Sequence, residues 1–325
     1  SFGDGYKGLQ SDINMNTKWS YSTLKPLNSL LLRLRILYLV VFSFRKYDVV
    51  QLVNAHYLDL KYFPSRFVIH LLSRCNKSLF LSACGTDAYY WHHKDRLEYY
   101  RPHEDVLEYD ILNSIDYFQT RRALKFNDYV VEKCTKIIPT SPDYSLVYSH
   151  CAQKLCDIIY LPVDVSSCEL NSSRKDKIIF LHGLTRKGLK GTYYIQQAFE
   201  IAREKYSHLA EFIIAGGMTL KEYKSILQNA DVIVDQCNTY GFGMNAVFGL
   251  AEGKIVMSGF EKDFHSIDTP IINIRPSVSH IVRELETLLL SGDLLKLKLS
   301  SRQFAVKNLD CKVVASEYLL RWKDA

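Results

Sequence analysis

Two cations lie four positions apart in FLHGLTRKGLKGT, the sequence of residues 180–192. They are Arg186 and Lys190, and a helix is predicted to begin directly after them. Free N–H groups at a helix N-terminus carry partial positive charge, while Arg offers a planar fork for phosphate oxygens and Lys a point charge. Glycines let the backbone approach a ligand closely, and this loop contains Gly183, Gly188 and Gly191. The pattern predicts an anion site that suits a diphosphate; the alternative is a glycine-rich turn with two solvated cations.

A second glycine-rich loop follows another predicted strand. It lies in DQCNTYGFGMNAVFGL, residues 235–250, where Gly241 and Gly243 stand just before a helix. The carboxyl ends of parallel strands meet at one edge of a sheet, and ligands bind in the crevice at that edge. Two such loops in one parallel domain therefore place two groups of backbone N–H donors side by side, one for phosphates and one for a sugar.

The elements that would position these loops alternate regularly in the second half of the chain. Strands are predicted at 177–181, 211–215, 232–235, 255–257 and 271–274. Helices are predicted at 192–206, 219–229 and 244–251 and from 277. Near-continuous apolar strands that alternate with helices indicate a parallel sheet covered on both faces. This half is predicted to be a doubly wound, Rossmann-like nucleotide-binding domain.

The first half has a similar but less regular pattern. Strands are predicted at 48–53, 78–82, 137–139 and 157–161, and helices at 30–44, 65–73 and 109–127. A polar linker is expected at about 164–175, which divides the chain into domains 1–165 and 166–325. The predicted fold class is α/β, with two doubly wound domains that face a central cleft, where ligands bind.

Composition excludes several other classes of protein. The chain has 325 residues, of which 47% are hydrophobic and 23% charged, values typical of a folded globular protein. No run approaches the roughly 18 apolar residues of a membrane span, and no signal peptide is visible. Eight cysteines include no Cys-x-x-Cys pair, so neither a zinc ribbon nor a redox motif is indicated. Reduced thiols in a cytoplasmic protein are expected.

Three segments together resemble the C-terminal half of retaining glycosyltransferases of family 4, which have the two-domain GT-B fold. They are HGLTRKGLKGT, AGGMTLKEYKSILQNADVIVDQ and YGFGMNAVFGLAEGKIVMSG, in the family's order. The resemblance implies that Arg186 and Lys190 bind the donor diphosphate, with Gly183 in the same loop. It implies that the sugar lies beside Gly241, Gly243, Met244 and Asn245. It also implies a donor domain at 166–325, an acceptor domain at 1–165, and a last helix that crosses back to the acceptor domain.

The chain departs from the family pattern at its usual carboxylates. The family carries two glutamates eight positions apart, and Tyr240 and Phe248 occupy those places here. The candidate substitutes are Asn245, Glu252 and Glu261.

In the first domain, LFLSACGTDAYYW resembles the family's His-Gly-Ser-Asp segment, with Cys84 in place of the His. Asp87 is predicted to contact the acceptor or to assist its hydroxyl, with helix capping as the alternative. His56, which also follows a strand, is a weaker candidate.

Several segments allow two interpretations. Residues 30–46 are basic and apolar, which suits either a peripheral membrane contact or, the favoured alternative, a buried helix. Residues 1–77 hold 11 Lys and Arg against 4 Asp and Glu, so this region could face anionic lipid or an anionic substrate. The aromatic residues of 87–103 could stack on sugars or simply pack. The family's first βα unit is expected to be missing.

The favoured function is transfer of a sugar, with retention, from a nucleoside-diphosphate sugar to a glycan or glycolipid acceptor. Bacterial surface-polysaccharide assembly, in the cytoplasm or at the inner face of the membrane, is the setting that the resemblance implies. No cofactor or nucleic acid partner is expected. No metal is expected either, since His92, His93 and His103 fit no common zinc spacing.

Two other function classes stay open. An NAD(P)-dependent oxidoreductase would use Gly241-x-Gly243-x-x-Ala246, with Glu261 as its ribose-binding acid. The third alternative is a catalytically degenerate protein that still binds a nucleotide sugar, and an epimerase of similar fold is a further possibility.

Overall fold

The computed structural model describes residues 25–60, 62–97, 117–170, 176–184, 189–217 and 220–324. Two α/β domains each form around a parallel sheet. The N-terminal sheet contains β1 (Val49–Leu52), β2 (Ser78–Ala83) and β3 (Lys136–Pro139) in that spatial order. The C-terminal sheet contains β4 (Ile178–Leu184), β5 (Ala210–Gly216), β6 (Val232–Val234), β7 (Ile255–Ser258) and β8 (Ile272–Asn273).

The N-terminal domain buries its largest core between the sheet and its own helices. These helices are α1 (Lys25–Tyr38), which continues as a π-helical turn (Leu39–Ser43), α2 (Ser65–Cys75), α3 (Ala88–His92), α4 (Arg121–Lys133) and α5 (Pro142–Val147). β2 lies between β1 and β3 and is buried along its whole length, as expected of a central strand.

The C-terminal sheet has the spatial order β5-β4-β6-β7-β8. Helices α6 (Thr192–Tyr206) and α9 (Val278–Ser291) cover one face through residues such as Phe199 and Leu285. The other face packs on α8 (Met244–Ala251) and α10 (Leu294–Asn308) through residues such as Leu250 and Phe304, with α7 (Leu220–Asn229) at its side. The strand after β4 in the chain, β5, lies on one side of β4, and the next strand, β6, lies on the other side. The order of strands therefore reverses between β4 and β6, and this is the topological switch point of the sheet.

The last helix, α11 (Cys311–Lys323), contacts the N-terminal domain. Val314 packs with Phe80 and Ile138 of the N-terminal sheet. The indole N–H of Trp322 donates a hydrogen bond to Gln51 Oε1 at 2.9 Å. α11 covers one face of the N-terminal sheet, and the helices of the N-terminal domain cover the other face.

Three predicted elements differ from the structure. Residues 157–161 form no strand: Cys156 and Ile159 donate to the carbonyls of Ile137 and Pro139, so an extra residue between the two donors breaks the ladder. The helix predicted at 109–127 is interrupted at Thr120: residues 117–119 are helical, and Thr120 then caps α4 through the Ala123 amide, while residues 109–116 lie outside the description. The helix predicted at 30–44 begins at Lys25 and ends in the π-helical turn.

Candidate functional site

A buried carboxylate joins the two glycine-rich loops at the carboxyl ends of β4 and β6, where the order of strands in the C-terminal sheet reverses. Lys190 follows β4 and Asp235 follows β6, and Lys190 Nζ lies 2.5 Å from Asp235 Oδ1. The other carboxylate oxygen accepts the backbone N–H of Gly243 at 2.9 Å. Asp235 is fully buried and Lys190 is 11% exposed. An ammonium group has three donors, so this ion pair orients Lys190 and leaves two donors for an anion.

Gly191 allows the first loop to pass close to the second. Its φ of +73° lies in the left-handed region that favours glycine. A Cβ at this position would overlap Cys237 Sγ, and the Cys237 amide donates to the Lys190 carbonyl at 3.0 Å. The second loop therefore supports the backbone at Lys190 and Gly191.

Two helix N-termini open at this edge of the sheet. α6 begins after Gly191 and α8 after Gly243, and neither N-terminus is capped by a side chain. Such ends present free N–H donors with partial positive charge. In the first turn of α8, the Asn245 Nδ2 atom is buried and makes no hydrogen bond within the described residues. A ligand at this edge would satisfy these donors.

His182 supports the edge from inside the sheet. Its Nδ1 donates to the Val234 carbonyl at 2.8 Å, so its Nε2 accepts from Thr192 Oγ1 at 3.0 Å. Burial lowers the pKa of His182 to about 4, which keeps the ring neutral. The neighbouring Gly183 is buried within β4 and pairs with Ala215 of β5. Both residues therefore hold the loop in place from within the sheet.

Arg186, the second predicted cation, lies at 185–188, outside the described residues. Its contact with the diphosphate stays a prediction.

The second glycine-rich loop is also held by the N-terminal domain. Asp143, buried in the first turn of α5, accepts hydrogen bonds from Thr239 Oγ1 at 2.8 Å and from the Tyr240 amide at 3.2 Å. Gly241 packs directly on Pro142. Burial raises the pKa of Asp143, while these hydrogen bonds oppose that rise. One carboxylate of the N-terminal domain thus fixes a loop of the C-terminal domain.

The two positions of the family's glutamates have other roles here. Tyr240 is 2% exposed and belongs to the hydrophobic core of the N-terminal domain. Its carbonyl accepts a hydrogen bond from His265 Nε2 at 2.7 Å. Phe248 packs against the core between the C-terminal sheet and α8. Both side chains contribute to packing rather than to a polar contact with a ligand.

The candidate substitutes for these glutamates differ in position. Glu261 lies beside the loop, since its amide donates to the Tyr240 carbonyl at 3.3 Å. Its carboxylate is bound in bidentate fashion by Arg275, at 2.8 and 2.7 Å. Burial would raise the pKa of Glu261, but the hydrogen bonds from Arg275 and Asn273 lower it overall. Glu252 follows the carboxyl end of α8, at the opposite edge of the sheet.

Asp87 caps helix α3. Its Oδ1 accepts from the Tyr90 amide at 2.9 Å, and its Oδ2 accepts from the Tyr148 hydroxyl at 2.5 Å. The residue is buried, which raises its pKa. With both oxygens already used, the geometry favours the capping role over contact with an acceptor. His56 Nδ1 lies 3.3 Å from Asp59 Oδ2 and the ring packs against Phe126, whereas His56 Nε2 is buried and makes no hydrogen bond among the described residues.

Metal-ligand groups in the described residues lie away from this edge. Asp164, Asp310 and Cys311 are close enough to share an ion. Both aspartates, however, accept hydrogen bonds from amides of the turns that they begin. Of the three histidines considered above, His103 lies outside the description and the ring of His93 packs at a tilt against that of His150.

Comparison with known proteins gives structural neighbours only. No family model matches the sequence, and no curated protein was found as a relative. HepE of Anabaena, solved with UDP-glucose, superposes with a TM-score of 0.60 over 92% of this chain and 84% of its own, at 10% identity. Sucrose-phosphate synthase of Thermosynechococcus elongatus gives 0.55 over 86% and 73%, at 12% identity. These neighbours have two Rossmann-like domains. The fold is GT-B. The predicted fold class is therefore confirmed.

A third GT-B neighbour is the pneumococcal O-GlcNAc transferase GtfA, solved with UDP and GlcNAc. It superposes with a TM-score of 0.53 at 14% identity, over 90% of this chain and 59% of its own. At such low identities the likeness concerns the GT-B fold, and the chemistry must be argued from the residues at the edge between β4 and β6.

Proposed function

We propose that this protein is a glycosyltransferase that transfers a sugar from a nucleoside-diphosphate sugar to a glycan or glycolipid. The observation that carries the proposal is the arrangement of Lys190, Asp235 and Gly243 between two open helix N-termini. Cation and N–H donors converge there on one point, at the position where doubly wound domains bind ligands. Structural neighbours with UDP or UDP-glucose bound support a UDP-sugar as the first donor to test.

Catalysis in this proposal is mainly electrostatic. Negative charge develops on the diphosphate as the bond to the sugar breaks, and donors already aimed at that charge stabilise the transition state. Lys190 and the N-termini of α6 and α8 supply such donors, and we assign Arg186 as a second cation. The donor sugar lies against Gly241, Gly243, Met244 and Asn245. The Asn245 amide takes over part of the polar contact that glutamates make in family 4.

The acceptor is assigned to the N-terminal domain. A cavity of about 420 Å³ lies there beside α2 and α4, lined by Asp59, Arg66, Phe67, Arg122 and Phe126. Aromatic faces and charged groups in one cavity suit a sugar chain that carries polar groups. Retention of configuration, a lipid-linked acceptor of surface-polysaccharide assembly and a position at the inner face of the membrane complete the proposal.

One observation disfavours the oxidoreductase alternative. Its ribose-binding acid would be Glu261, and Arg275 already binds both oxygens of that carboxylate.

The test is thermal stability of the full chain with UDP, GDP, ADP, CMP, NAD or NADP. A ligand that binds only the native state raises the unfolding midpoint by mass action. We expect a rise with one nucleoside diphosphate and loss of that rise in Lys190→Ala. The control is Lys298→Ala, which removes another ion pair between a lysine and a buried aspartate. Lys298 Nζ lies 2.7 Å from Asp231 Oδ1, at the amino end of β6 and so at the opposite edge of the same sheet.

Both variants leave an aspartate without its cation, so both are expected to unfold at a lower temperature than the wild type. Only Lys190→Ala should lose the nucleotide effect. A rise with NAD or NADP instead, or an equal loss in Lys298→Ala, would contradict the proposed donor site. Transfer activity with the identified donor should then fall by at least about 100-fold in Lys190→Ala, the typical effect of losing one electrostatic stabiliser.

A further inference from the structure

Helix α1 and its π-helical turn present an apolar stripe to solvent. One side of this segment is buried, with Ile36 and Val40 in the N-terminal core. On the other side, five large apolar residues are between 45% and 68% exposed: Leu30, Leu31, Leu34, Tyr38 and Phe42. The rings of Tyr38 and Phe42 contact each other, with centroids 5.1 Å apart. The sequence favoured a buried helix here, and the structure shows that only one side is buried. We call these five residues the α1 stripe.

Exposed cations accompany the stripe. Residues 25–47 contain five Lys and Arg and no Asp or Glu. The backbone brings the end of α2 to the same place, because the Lys46 amide donates to the Cys75 carbonyl at 2.8 Å and the Lys77 amide to the Tyr47 carbonyl at 3.0 Å. Five exposed cations thus belong to this side of the domain, and we call them the basic rim: Arg35, Arg45, Lys46, Arg74 and Lys77.

The charge around the stripe identifies its partner. Contiguous exposed apolar residues mark an interaction surface, and cations around them favour an anionic one. A second copy of this chain would bring two basic rims together, and like charges repel. Residues 1–24 carry two Lys and two Asp, so their charge does not complement the rim. Anionic lipid headgroups above an apolar interior match both features.

We propose that the α1 stripe and the basic rim bind the surface of a membrane that contains anionic lipids, with α1 in the plane of that surface. Among the described residues, no helix has the length and apolar character to cross a bilayer. An amphipathic helix at the interface inserts its apolar side chains among the headgroups while its cations contact them. The inference extends the membrane position proposed above, and it does not depend on sugar transfer.

The test is cosedimentation of the full chain with vesicles, without donor or acceptor. One set of vesicles is phosphatidylcholine alone, and the other contains about one-third phosphatidylglycerol. We expect binding to the anionic vesicles, with a partition at least about tenfold lower for Leu34→Ser/Phe42→Ser and for Arg45→Glu/Lys77→Glu. Added salt should weaken the binding of the wild type.

The matched control is Leu295→Ser/Leu299→Ser on α10, where these leucines are 71% and 56% exposed. This variant should bind as the wild type does. Equal loss in the control, unchanged binding of the stripe variant, or equal binding to both kinds of vesicle would overturn the inference. So would a lipid-free dimer that the stripe variant no longer forms, because a second copy would then be the partner.

The nucleotide-dependent rise in thermal stability is measured in the same variants. This rise should be unchanged in all of them. The substituted residues of the stripe and of the rim belong to the N-terminal domain, whereas the loops after β4 and β6 belong to the C-terminal domain. If nucleotide binding is absent in the wild type while vesicle binding follows the pattern above, the proposed function fails and the membrane inference holds. If the wild type does not bind the vesicles while nucleotide binding is intact, the membrane inference fails and the proposed function holds.

Discussion

Asp235 and His182 hold the loops of the proposed donor site from within the protein. Asp235 contacts the lysine of one loop and a backbone amide of the other, and His182 connects β4 to β6 and to the first residue of α6. Each is fully buried, and for His182 this burial lowers the pKa to about 4. For His182 the consequence is a measurable effect of pH.

We expect His182 to make stability fall as the pH decreases from about 6.5 to about 4. The unfolded chain binds a proton to this histidine below its ordinary pKa, while the folded chain keeps the ring neutral until about pH 4. Acid therefore favours unfolding across this interval and has no further effect through this group below it. A shift of this size corresponds to a loss of up to about 3 kcal/mol.

The measurement is the free energy of unfolding against pH for the wild type and His182→Asn. Asparagine keeps one donor and one acceptor but does not titrate, so the variant should show a smaller slope between pH 6.5 and 4. His208→Asn, at an exposed position, serves as control and should keep the slope of the wild type. An unchanged slope in His182→Asn would show that this histidine is not buried in its neutral form.

At the scale of elements, the loop between β6 and α8 depends on both domains. Asp143 at the start of α5 accepts two hydrogen bonds from it, and Tyr240 inserts into the N-terminal core. The sequence showed Tyr240 only as a missing glutamate. The other members of that core all lie before residue 156, and no local pattern connects them with Tyr240.

We predict that Asp143→Ala raises the donor dissociation constant about tenfold, because the loop beside the sugar loses its attachment to α5. Thr239→Val removes the partner of Asp143 in the loop itself and should have a similar effect. In the double variant the two losses should not add, with a coupling energy of about 1–2 kcal/mol. Asp143→Asn should recover most of the affinity, since its amide can still accept from the Tyr240 N–H and hydrogen-bond to Thr239.

Ser141→Ala is the control for this contact. Ser141 donates to Asp143 from within the N-terminal domain, at 3.3 Å, so its loss leaves the contact between the domains intact. Donor affinity should stay close to that of the wild type. Additive effects of Asp143→Ala and Thr239→Val would mean that the two residues act separately and that α5 does not position the loop.

At the scale of the whole molecule, the last helix connects the two domains. α11 follows the C-terminal domain but covers the outer face of the N-terminal sheet, through Val314, Tyr318 and Trp322. A sheet of three described strands thus receives one of its two covering layers from the other end of the chain.

The charge of the chain is also unevenly distributed, because residues 1–77 carry the excess of Lys and Arg over Asp and Glu.

We expect Trp322→Ala to lower the free energy of unfolding by about 2 kcal/mol, because it removes a half-buried ring and its hydrogen bond to Gln51. Arg321→Ala is the neighbouring control. Its guanidinium pairs with Asp157 at 2.7 Å on the surface, and such pairs contribute less than about 1 kcal/mol. Denaturant unfolding monitored by circular dichroism measures both. Equal effects would contradict the role of α11 as a covering layer.

The sequence by itself determined the parallel α/β architecture and the two loops that face the cleft. Alternation of apolar runs and helices, and glycines at strand ends, are local features, so they can be read without the fold. Lys190, Gly241 and Gly243 were predicted in this way, and their contact with a donor stays a prediction. Asn245 and Glu261 were found as possible substitutes, although the pairing of Glu261 with Arg275 was not foreseen.

Only the tertiary structure decided which polar groups satisfy one another. Asp235 comes directly after a buried strand and next to the glycine loop, and this position could have marked it in the sequence. Asp143 and His265 had no such signal, because their partners are distant in the chain. The exposed side of α1 was equally hidden, since large apolar residues occur on both sides of this helix and the pattern does not reveal which side the core takes. Burial is a property of the assembled domain, and it sets both the roles of these carboxylates and the exposed surface that we propose binds a membrane.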